Sequence, residues 1–244
     1  MSQSRLNQVA DARTMDSRWH GLYRIGGATA VIMAVYIPIT IALYLASPPP
    51  ETVIGHFTLF QSNRLLGLVG MDLLYLLSNV LAIPMYLAFY IALRRVSESF
   101  MLIATTLGLV AVVALFAARP AVEMLHLSDQ YAAATTDAQR AVFLAAGEAM
   151  LAVFNGTAFH LHYVLGSVSL LIISVVMLRS DVFGKATAYV GMVASVTGLG
   201  LYVPTIGVSI SILSVVGLWI WYILIARRFF QLGQRVPTGE VSRN

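Results

Sequence analysis

The 244-residue chain contains no cysteine and few charged residues. Without a thiol it has no disulfide, no cysteine nucleophile and no cysteine-ligated zinc or iron–sulfur site. Charged residues make up 11% of the sequence, where about 25% is typical of soluble domains. Apolar residues make up 59%. Such a chain has too little polar surface to stay dissolved, so the composition predicts a single-domain integral membrane protein with the lipid bilayer as its partner.

Several motifs are also missing. The sequence has no Walker A loop, no glycine-rich dinucleotide fingerprint, no HExxH and no GxSxG, which argues against nucleotide-driven transport by this chain alone. The net charge of +4 and the pI near 9.5 do not indicate a nucleic-acid partner, because the basic residues stand at the ends of apolar runs. No cofactor and no metal can be identified from the sequence.

Six apolar runs are long enough to cross a bilayer core of about 30 Å, which needs roughly 20 residues. They predict an all-α fold with six transmembrane helices over 25–46, 65–93, 100–118, 158–178, 186–203 and 206–226. No short apolar region with a small-residue cleavage site precedes them, so the first run is expected to stay in place as a signal anchor. The predicted organisation is a cytoplasmic segment 1–24, a transmembrane domain 25–226 and a cytoplasmic tail 227–244.

The basic residues predict the direction of the spans. With both termini inside, 12 of the 15 lysines and arginines lie on the inner side, and only Arg64, Arg119 and Arg140 lie outside. This arrangement is typical of the cytoplasmic membrane of a prokaryote. The segment 1–24 either lies along the inner surface as an interfacial helix or is a frayed tail. Trp219 and Trp221 are expected in an aromatic belt at the cytoplasmic interface.

An extracytoplasmic helix is predicted between spans three and four. Thr136 and Gln139 have the spacing of a capping box, and the following residues are largely apolar. Only 155–157 separate this segment from span four, too few residues to reverse the chain across a membrane. We expect a helix over 137–157 that covers the outer mouth of the bundle, either as a separate lid or as an extension of span four.

Polar residues within the spans define a candidate site. Asp72, Tyr75, Asn79 and Tyr86 recur at steps of three, four and seven, so they share one face of the second span. Polar side chains within a span face the protein interior, because exposing an ionised group to lipid costs several kcal/mol. Asp72 either joins helices, through a hydroxyl or by pairing with Arg64 or Arg119, or binds a proton, a cation or an amine.

A second polar series leads into the fourth span. If the lid continues into that span, Glu148, Asn155, His162 and Ser169 fall on one face. His160 points to the other side of the helix, so the two histidines of "HLH" cannot bind one metal together. The predicted binding residues are therefore Arg64, Asp72, Tyr75, Asn79, Tyr86, Glu148, Asn155 and His162.

Three functions remain open. The first is binding or movement of a small molecule or ion through a polar intramembrane cavity. The second is a membrane-embedded metal-dependent hydrolase, in which three or four residues from separate segments hold zinc; the candidates are His56, Asp72, Glu123, His126, Glu148 and His162. The third is a non-catalytic partner subunit. Small residues along spans five and six also allow close helix packing, including packing between two chains.

Three segments carry a family resemblance: "YRIGG" opening span one, "NRLLGLVGMDLL" opening span two, and "LRSDVFGKATAYVGMVASVTGLGLY" joining spans four and five. Together they resemble the bacterial family of domains of unknown function numbered 4386, over about Tyr23 to Phe230. The resemblance implies a fold of six helices. The resemblance implies histidines in the region of the fourth span, at the positions where Asn155 and Ser169 stand here. It has no established activity, so the resemblance implies no catalytic residue.

Overall fold

The computed structural model describes residues 18–71 and 73–234. Regular secondary structure within these residues is entirely helical, which confirms the predicted all-α class. Five helical stretches are long and apolar enough to cross a membrane: His20–Ala46, Leu73–Leu93, Glu98–Ala133, Asp137–Leu178 and Ser209–Gly233. Asp72, most of the predicted segment 1–24 and the last ten residues of the tail lie outside the described residues.

The described chain contains ten α-helices and one 3₁₀ helix. In chain order they are α1 (His20–Ala46), α2 (Val53–Ser62), α3 (Arg64–Gly70), α4 (Leu73–Leu93), α5 (Glu98–Ala117), α6 (Ala121–Ala133), α7 (Asp137–Phe154), α8 (Thr157–Leu178), α9 (Lys185–Leu199), the 3₁₀ helix Gly200–Tyr202, and α10 (Gly207–Gly233).

Six of these helices form a ring. The order around the ring is α1, α4, α5, α8, α9, α10, each packed on the next, and α10 packs against α1 to close it. Short connections over 94–97, 179–184 and 203–206 explain why consecutive helices are neighbours. At one end, Arg24 Nε donates to the Gly233 carbonyl at 3.0 Å. The start of the first helix and the end of the last therefore lie side by side.

An aromatic core closes the ring at the end where α1 begins and α10 ends. Phe89 stacks on Trp221 with ring centroids 5.3 Å apart and meets Phe229 at 4.9 Å. Phe183 packs on both phenylalanines, at 5.7 and 5.6 Å. Aromatic pairs at such distances add to the stability that comes from burial alone. This end of the bundle is densely filled.

The opposite end carries a cap of four helices, α2, α3, α6 and α7. Its core contains Val53, Phe57, Phe60, Met71 and Met124. Ser128 Oγ on α6 donates to the Phe57 carbonyl on α2 at 3.1 Å. Of the four cap helices, only α7 was predicted from the sequence. It begins with the predicted capping box of Thr136 and Gln139. Helices α2 and α6 were missed because they are short and of mixed polarity.

Three predicted boundaries are wrong. The second span is not one helix from 65, because α3 ends at Gly70 and α4 begins at Leu73. The last helix continues to Gly233, seven residues beyond the predicted end. Trp221 therefore lies twelve residues before the end of α10, and its side chain is buried in the ring, only 2% exposed. The aromatic belt at the cytoplasmic interface stays a prediction. The first helix begins at His20, before the predicted residue 25.

Small residues on α9 and α10 pack within the chain. A Cβ at Gly217 would lie 3.1 Å from Ala194 Cβ, and a Cβ at Gly198 would lie 3.3 Å from Ser214 Oγ. These close approaches are the packing that small residues permit between helices in lipid. Association of two chains through other parts of these helices stays a prediction.

The cap contains a buried histidine whose protonation is expected to weaken it. His56 is buried, and its Nδ1 has no hydrogen-bond partner among the described residues. Burial lowers the pKa of His56, and a hydrogen bond to the Pro50 backbone opposes this only in part. The unfolded chain therefore binds more protons than the folded cap below about pH 6.5. We expect full stability above that pH and a loss of stability as the pH falls below it.

Melting temperatures measured between about pH 5 and pH 8 test this expectation. His56→Gln should reduce the loss seen at the acidic end, whereas His126→Gln, a change at an exposed cap histidine, should leave the profile of the parent protein. An unchanged acidic loss in His56→Gln would assign the pH dependence to other groups.

Candidate functional site: a cavity inside the helix ring

The ring surrounds a cavity of about 930 Å³. Its lining comes from α1, α4, α8, α9 and α10, together with Arg119. On α4 the lining runs from Tyr75 to Phe89, and on α8 from Phe159 to Ile173. Each run covers 15 residues, and the rise from its first to its last residue is about 21 Å in an α-helix. The cavity is thus long and spans most of the thickness of a bilayer core.

A hydrogen-bonded pair at the cap end of the cavity joins three helices. The Tyr75 hydroxyl on α4 lies 2.8 Å from His162 Nε2 on α8. His162 Nδ1 lies 2.8 Å from the Ala111 carbonyl on α5. A carbonyl can only accept, so Nδ1 carries the proton and donates to Ala111. In the neutral imidazole Nε2 is then the acceptor, and the Tyr75 hydroxyl donates to it.

Arg119 lies beside this pair. It is buried, and its NH1 donates to the carbonyls of Ala118 and Phe154, both at 3.1 Å. Its guanidinium carbon lies 4.3 Å from the ring centroid of Phe154, 5.1 Å from that of Phe159 and 5.9 Å from that of Tyr75. Arg119 therefore connects the end of α5 to the junction of α7 and α8 and forms the polar end of the cavity.

Four of the predicted binding residues line this cavity. Tyr75, Asn79 and Tyr86 come from the predicted stripe on the second span, and His162 comes from the series on the fourth. The structure thus brings together two stripes that the sequence presented separately. Asp72, which begins the first stripe, lies outside the described residues.

Three other predicted residues lie away from the cavity. Arg64 is exposed on the cap, where its NH2 pairs with Asp129 Oδ1 at 2.9 Å. Glu148 is exposed on α7, and Asn155 is exposed where α7 ends. The continuous helix that would align them with His162 is interrupted at Asn155 and Gly156, so α7 is a separate helix. It packs on α2 and α6, and none of its described residues lines the cavity.

The zinc ligands considered for a hydrolase, apart from Asp72, lie within the described residues and are not gathered there. Within residues 18–71 and 73–234, no three histidine, aspartate or glutamate side chains are close enough to hold one metal ion. His56 is buried in the cap, and His126 Nε2 faces Gln130 Nε2 at 3.0 Å on the surface. His160 contacts the Tyr202 hydroxyl at 3.0 Å, away from His162, in agreement with the predicted opposite faces.

The role of Arg119 in the site was not predicted. In the sequence it was considered only as a possible partner of Asp72. It stands just after an apolar span and before Pro120, which looks like an ordinary charged residue at an interface. Its burial depends on aromatic residues of α7 and α8, about 35 to 40 positions later. A pattern within one helix cannot reveal a partner on another.

Two glycines near the cavity are expected to respond oppositely to substitution by alanine. A Cβ at Gly166 would lie 4.0 Å from Ala111 Cβ, an ordinary contact, whereas a Cβ at Gly108 would overlap the ring of Tyr86. Gly166→Ala should stabilise the protein by about 0.5–1 kcal/mol through helix propensity. Gly108→Ala should destabilise it by roughly 1–3 kcal/mol because Tyr86 must move.

Thermal melting of the two variants in one detergent measures this difference, since both changes add the same methyl group in the middle of a helix. A stabilised Gly108→Ala variant would show that the Tyr86 ring moves aside without cost.

These features define a helical protein with several apolar helices, compatible with a multi-pass membrane protein, that holds a long internal cavity with one polar end. No family model, no curated protein and no solved structure matches the chain. The cavity and its residues are therefore the basis for a functional proposal.

Proposed function

We propose that this chain is a six-span protein of the cytoplasmic membrane of a prokaryote, with both termini inside, that binds a small molecule in the cavity. The observation that carries the proposal is a cavity of about 930 Å³ among long apolar helices, with Tyr75, His162 and Arg119 gathered at one end. Pockets for small molecules commonly have volumes of about 300–1,000 Å³, mostly apolar walls and a few polar groups. This cavity has those properties.

The sixth crossing in this proposal is α9 with its 3₁₀ extension. The α-helix has 15 residues, about 23 Å at 1.5 Å each. The three residues Gly200–Tyr202 add about 6 Å at the larger rise of a 3₁₀ helix. The sum approaches the roughly 30 Å of a bilayer core. Packing of α9 between α8 and α10 also supports a crossing parallel to theirs.

The position of the chain ends supports an even number of crossings. Arg24 and Gly233 are hydrogen-bonded, so both ends of the ring leave from the same side. The two short connections on that side carry basic residues, Arg94 and Arg95 in one and Arg179 in the other, with Lys185 beginning α9. The positive-inside rule makes this side cytoplasmic and the cap extracytoplasmic.

Asp72 and the family resemblance are parts of the proposal that come from the sequence. Asp72 lies three residues before Tyr75, so we propose that its carboxylate belongs to the polar end of the same site. Membership of the family of unknown function numbered 4386 is likewise proposed from the three quoted segments. Neither Asp72 nor the family resemblance indicates a chemical reaction. The proposed function is therefore binding or movement of a small molecule.

The absence of cysteine from the sequence allows a direct test. Ser78 lines the cavity, and its hydroxyl donates only within its own helix, to the Tyr75 carbonyl. Ser78→Cys is therefore a mild change that places a single thiol in the cavity wall. We expect N-ethylmaleimide to label this thiol in the folded protein in vesicles, because a cavity that admits small molecules also admits this reagent.

Ser174→Cys is the matched control. Ser174 is also buried in the ring, on α8, but it does not line the cavity. It should be labelled only after denaturation. Equal protection of both thiols in the folded protein would overturn the proposal, because the cavity would then be closed to small molecules. A loss of Ser78→Cys labelling on addition of a candidate compound then identifies a ligand.

A further inference from the structure

The cavity reaches the surface through its side wall. Its strongly exposed lining residues, between 37% and 81% exposed, all belong to α1 or α10. They are Ile41, Tyr44, Leu45, Ile212, Val215 and Val216. We call these six residues the rim. The rim residues stand on the last turns of α1 and the first turns of α10, whereas nearer the other end the two helices pack together and Trp219 Nε1 donates to the Ala34 carbonyl. The rim therefore marks an opening between the cap-end parts of α1 and α10.

The rim lies at the depth of the membrane. Its α1 residues belong to the apolar helix His20–Ala46 and its α10 residues to Ser209–Gly233, both long enough to cross a bilayer. None of the six rim side chains is charged, and the only polar atom among their side chains is a tyrosine hydroxyl. An opening for a dissolved polar solute would need polar groups at its edge, whereas an opening into lipid must be apolar. This opening therefore faces hydrocarbon.

The polarity of the cavity changes along its length. Arg119, Tyr75 and His162 stand at the cap end, and Phe89 and Trp221 stand at the far end. Three of the polar residues between them, Ser78, Asn79 and Ser195, donate to carbonyls of their own helices, and bonds of this kind reduce their capacity to bind a ligand. The wall as a whole is mostly apolar, and its middle includes Met33, Ile37, Ala82, Met85, Leu170 and Ile173. The middle of the wall therefore suits an apolar chain.

We propose that the ligand is a single-chain amphipathic lipid that enters sideways from the bilayer through the rim. Its compact polar head would lie at Tyr75, His162 and Arg119, and its chain would extend about 21 Å toward Trp221. A volume of about 930 Å³ is at the upper end of the range for small-molecule pockets, which suits one long chain better than a two-chain phospholipid. This inference rests on the proposed small-molecule binding and specifies the ligand class and the path of entry.

Tryptophan provides a reporter inside the cavity. The chain has three tryptophans, Trp19, Trp219 and Trp221. Trp221 lines the cavity and is 2% exposed, whereas Trp219, two residues away on α10, is 40% exposed. The double variant Trp19→Phe/Trp219→Phe keeps only the cavity tryptophan. The double variant Trp19→Phe/Trp221→Phe keeps only the tryptophan at the outer surface.

The probe is stearic acid carrying bromine, a contact quencher of tryptophan, near the methyl end of its chain. It is added to vesicles of unbrominated phosphatidylcholine that contain either variant. We expect emission from Trp221 to fall and then saturate, and unbrominated stearic acid to restore it. Emission from Trp219 should fall in proportion to the probe without saturating. Bromine near the carboxyl end should quench Trp221 less, because the head lies at the cap end.

Entry through the rim has its own test. Ile212→Phe/Val216→Phe enlarges two exposed rim residues and should slow the onset of Trp221 quenching. Val113→Phe and Val193→Phe, which enlarge exposed residues of α5 and α9, should not change it. Equal rates in all variants would overturn entry between α1 and α10.

The outcomes separate this inference from the proposed function. Labelling of Ser78→Cys without saturable quenching of Trp221 would keep a small-molecule cavity and reject a lipid ligand, leaving a water-soluble molecule that enters through the cap. Absence of both signals would reject both proposals. Saturable quenching that monoolein relieves as well as stearic acid does would support a single-chain lipid with no requirement for a carboxylate head.

Discussion

Replacement of Arg119 by methionine is expected to destabilise the protein by roughly 3 kcal/mol. The substitution removes two charge-assisted hydrogen bonds from the guanidinium to backbone carbonyls. It also removes the contacts of the guanidinium with the rings of Phe154 and Phe159, at 4.3 and 5.1 Å. Hydrogen bonds from charged groups contribute about 1.5–3 kcal/mol, and desolvated cation–π contacts about 2 kcal/mol. Because Arg119 joins α5 to the α7–α8 junction, the cap should also loosen. A melting temperature in detergent lower by several degrees measures the effect.

Arg64→Met is the control for this prediction. Arg64 forms an ion pair with Asp129, and the two side chains are 67% and 48% exposed. Exposed ion pairs contribute at most about 1 kcal/mol, so this variant should melt close to the parent. Arg119→Lys should recover little of the loss, because an ammonium cannot reproduce the planar fork of the guanidinium. Similar melting of Arg119→Met and Arg64→Met would contradict the structural role given to Arg119.

The second large effect is expected at the pair of Tyr75 and His162. His162→Phe removes both the acceptor of the Tyr75 hydroxyl and the donor to the Ala111 carbonyl. We expect a loss of about 2 kcal/mol, since buried polar groups that lose a partner cost about 1–3 kcal/mol. Tyr75→Phe removes one bond and should cost about 1 kcal/mol. In the double variant the two losses should not add, with a coupling near 1 kcal/mol.

His160 supplies the comparison for the double-mutant cycle. It lies two residues from His162 but contacts Tyr202 and not Tyr75. His160→Phe and Tyr75→Phe should therefore add within about 0.3–0.5 kcal/mol, as expected for residues without shared partners. If the Tyr75 and His162 changes are equally additive, the hydrogen bond contributes nothing measurable and the site is held by packing alone.

The sequence predicted those parts of the site that depend on one helix. Tyr75, Asn79 and Tyr86 share a face because of helical periodicity, and a buried face is where polar residues in an apolar helix belong. For the same reason His162 and His160 were correctly assigned to opposite sides. Periodicity within one helix does not predict which other helix packs against its polar face. The meeting of Tyr75 with His162, across 87 residues of chain, became visible only in the fold.

The wrong predictions concern where a helix ends and which short segments are helical. Arg227 and Arg228 looked like the end of the last span, but α10 continues through them to Gly233, and Arg228 Nε donates to the Val182 carbonyl in the loop before α9. In the cap, the segment "AVEMLHLSDQYAA" of α6 has too few apolar residues in sequence to suggest a buried partner.

The ring has a consequence for biosynthesis. The first helix packs against the last, so in the proposed membrane protein α1 would enter the bilayer long before its main partner has been translated. About 160 residues separate the end of α1 from the start of α10, and a ribosome adds about 5–20 residues per second. For a time on the order of ten seconds, the nascent bundle is an open arc with its interior facing the lipid. Arrival of α10 completes the molecule, and a chain truncated before Gly207 should stay in that unsealed form.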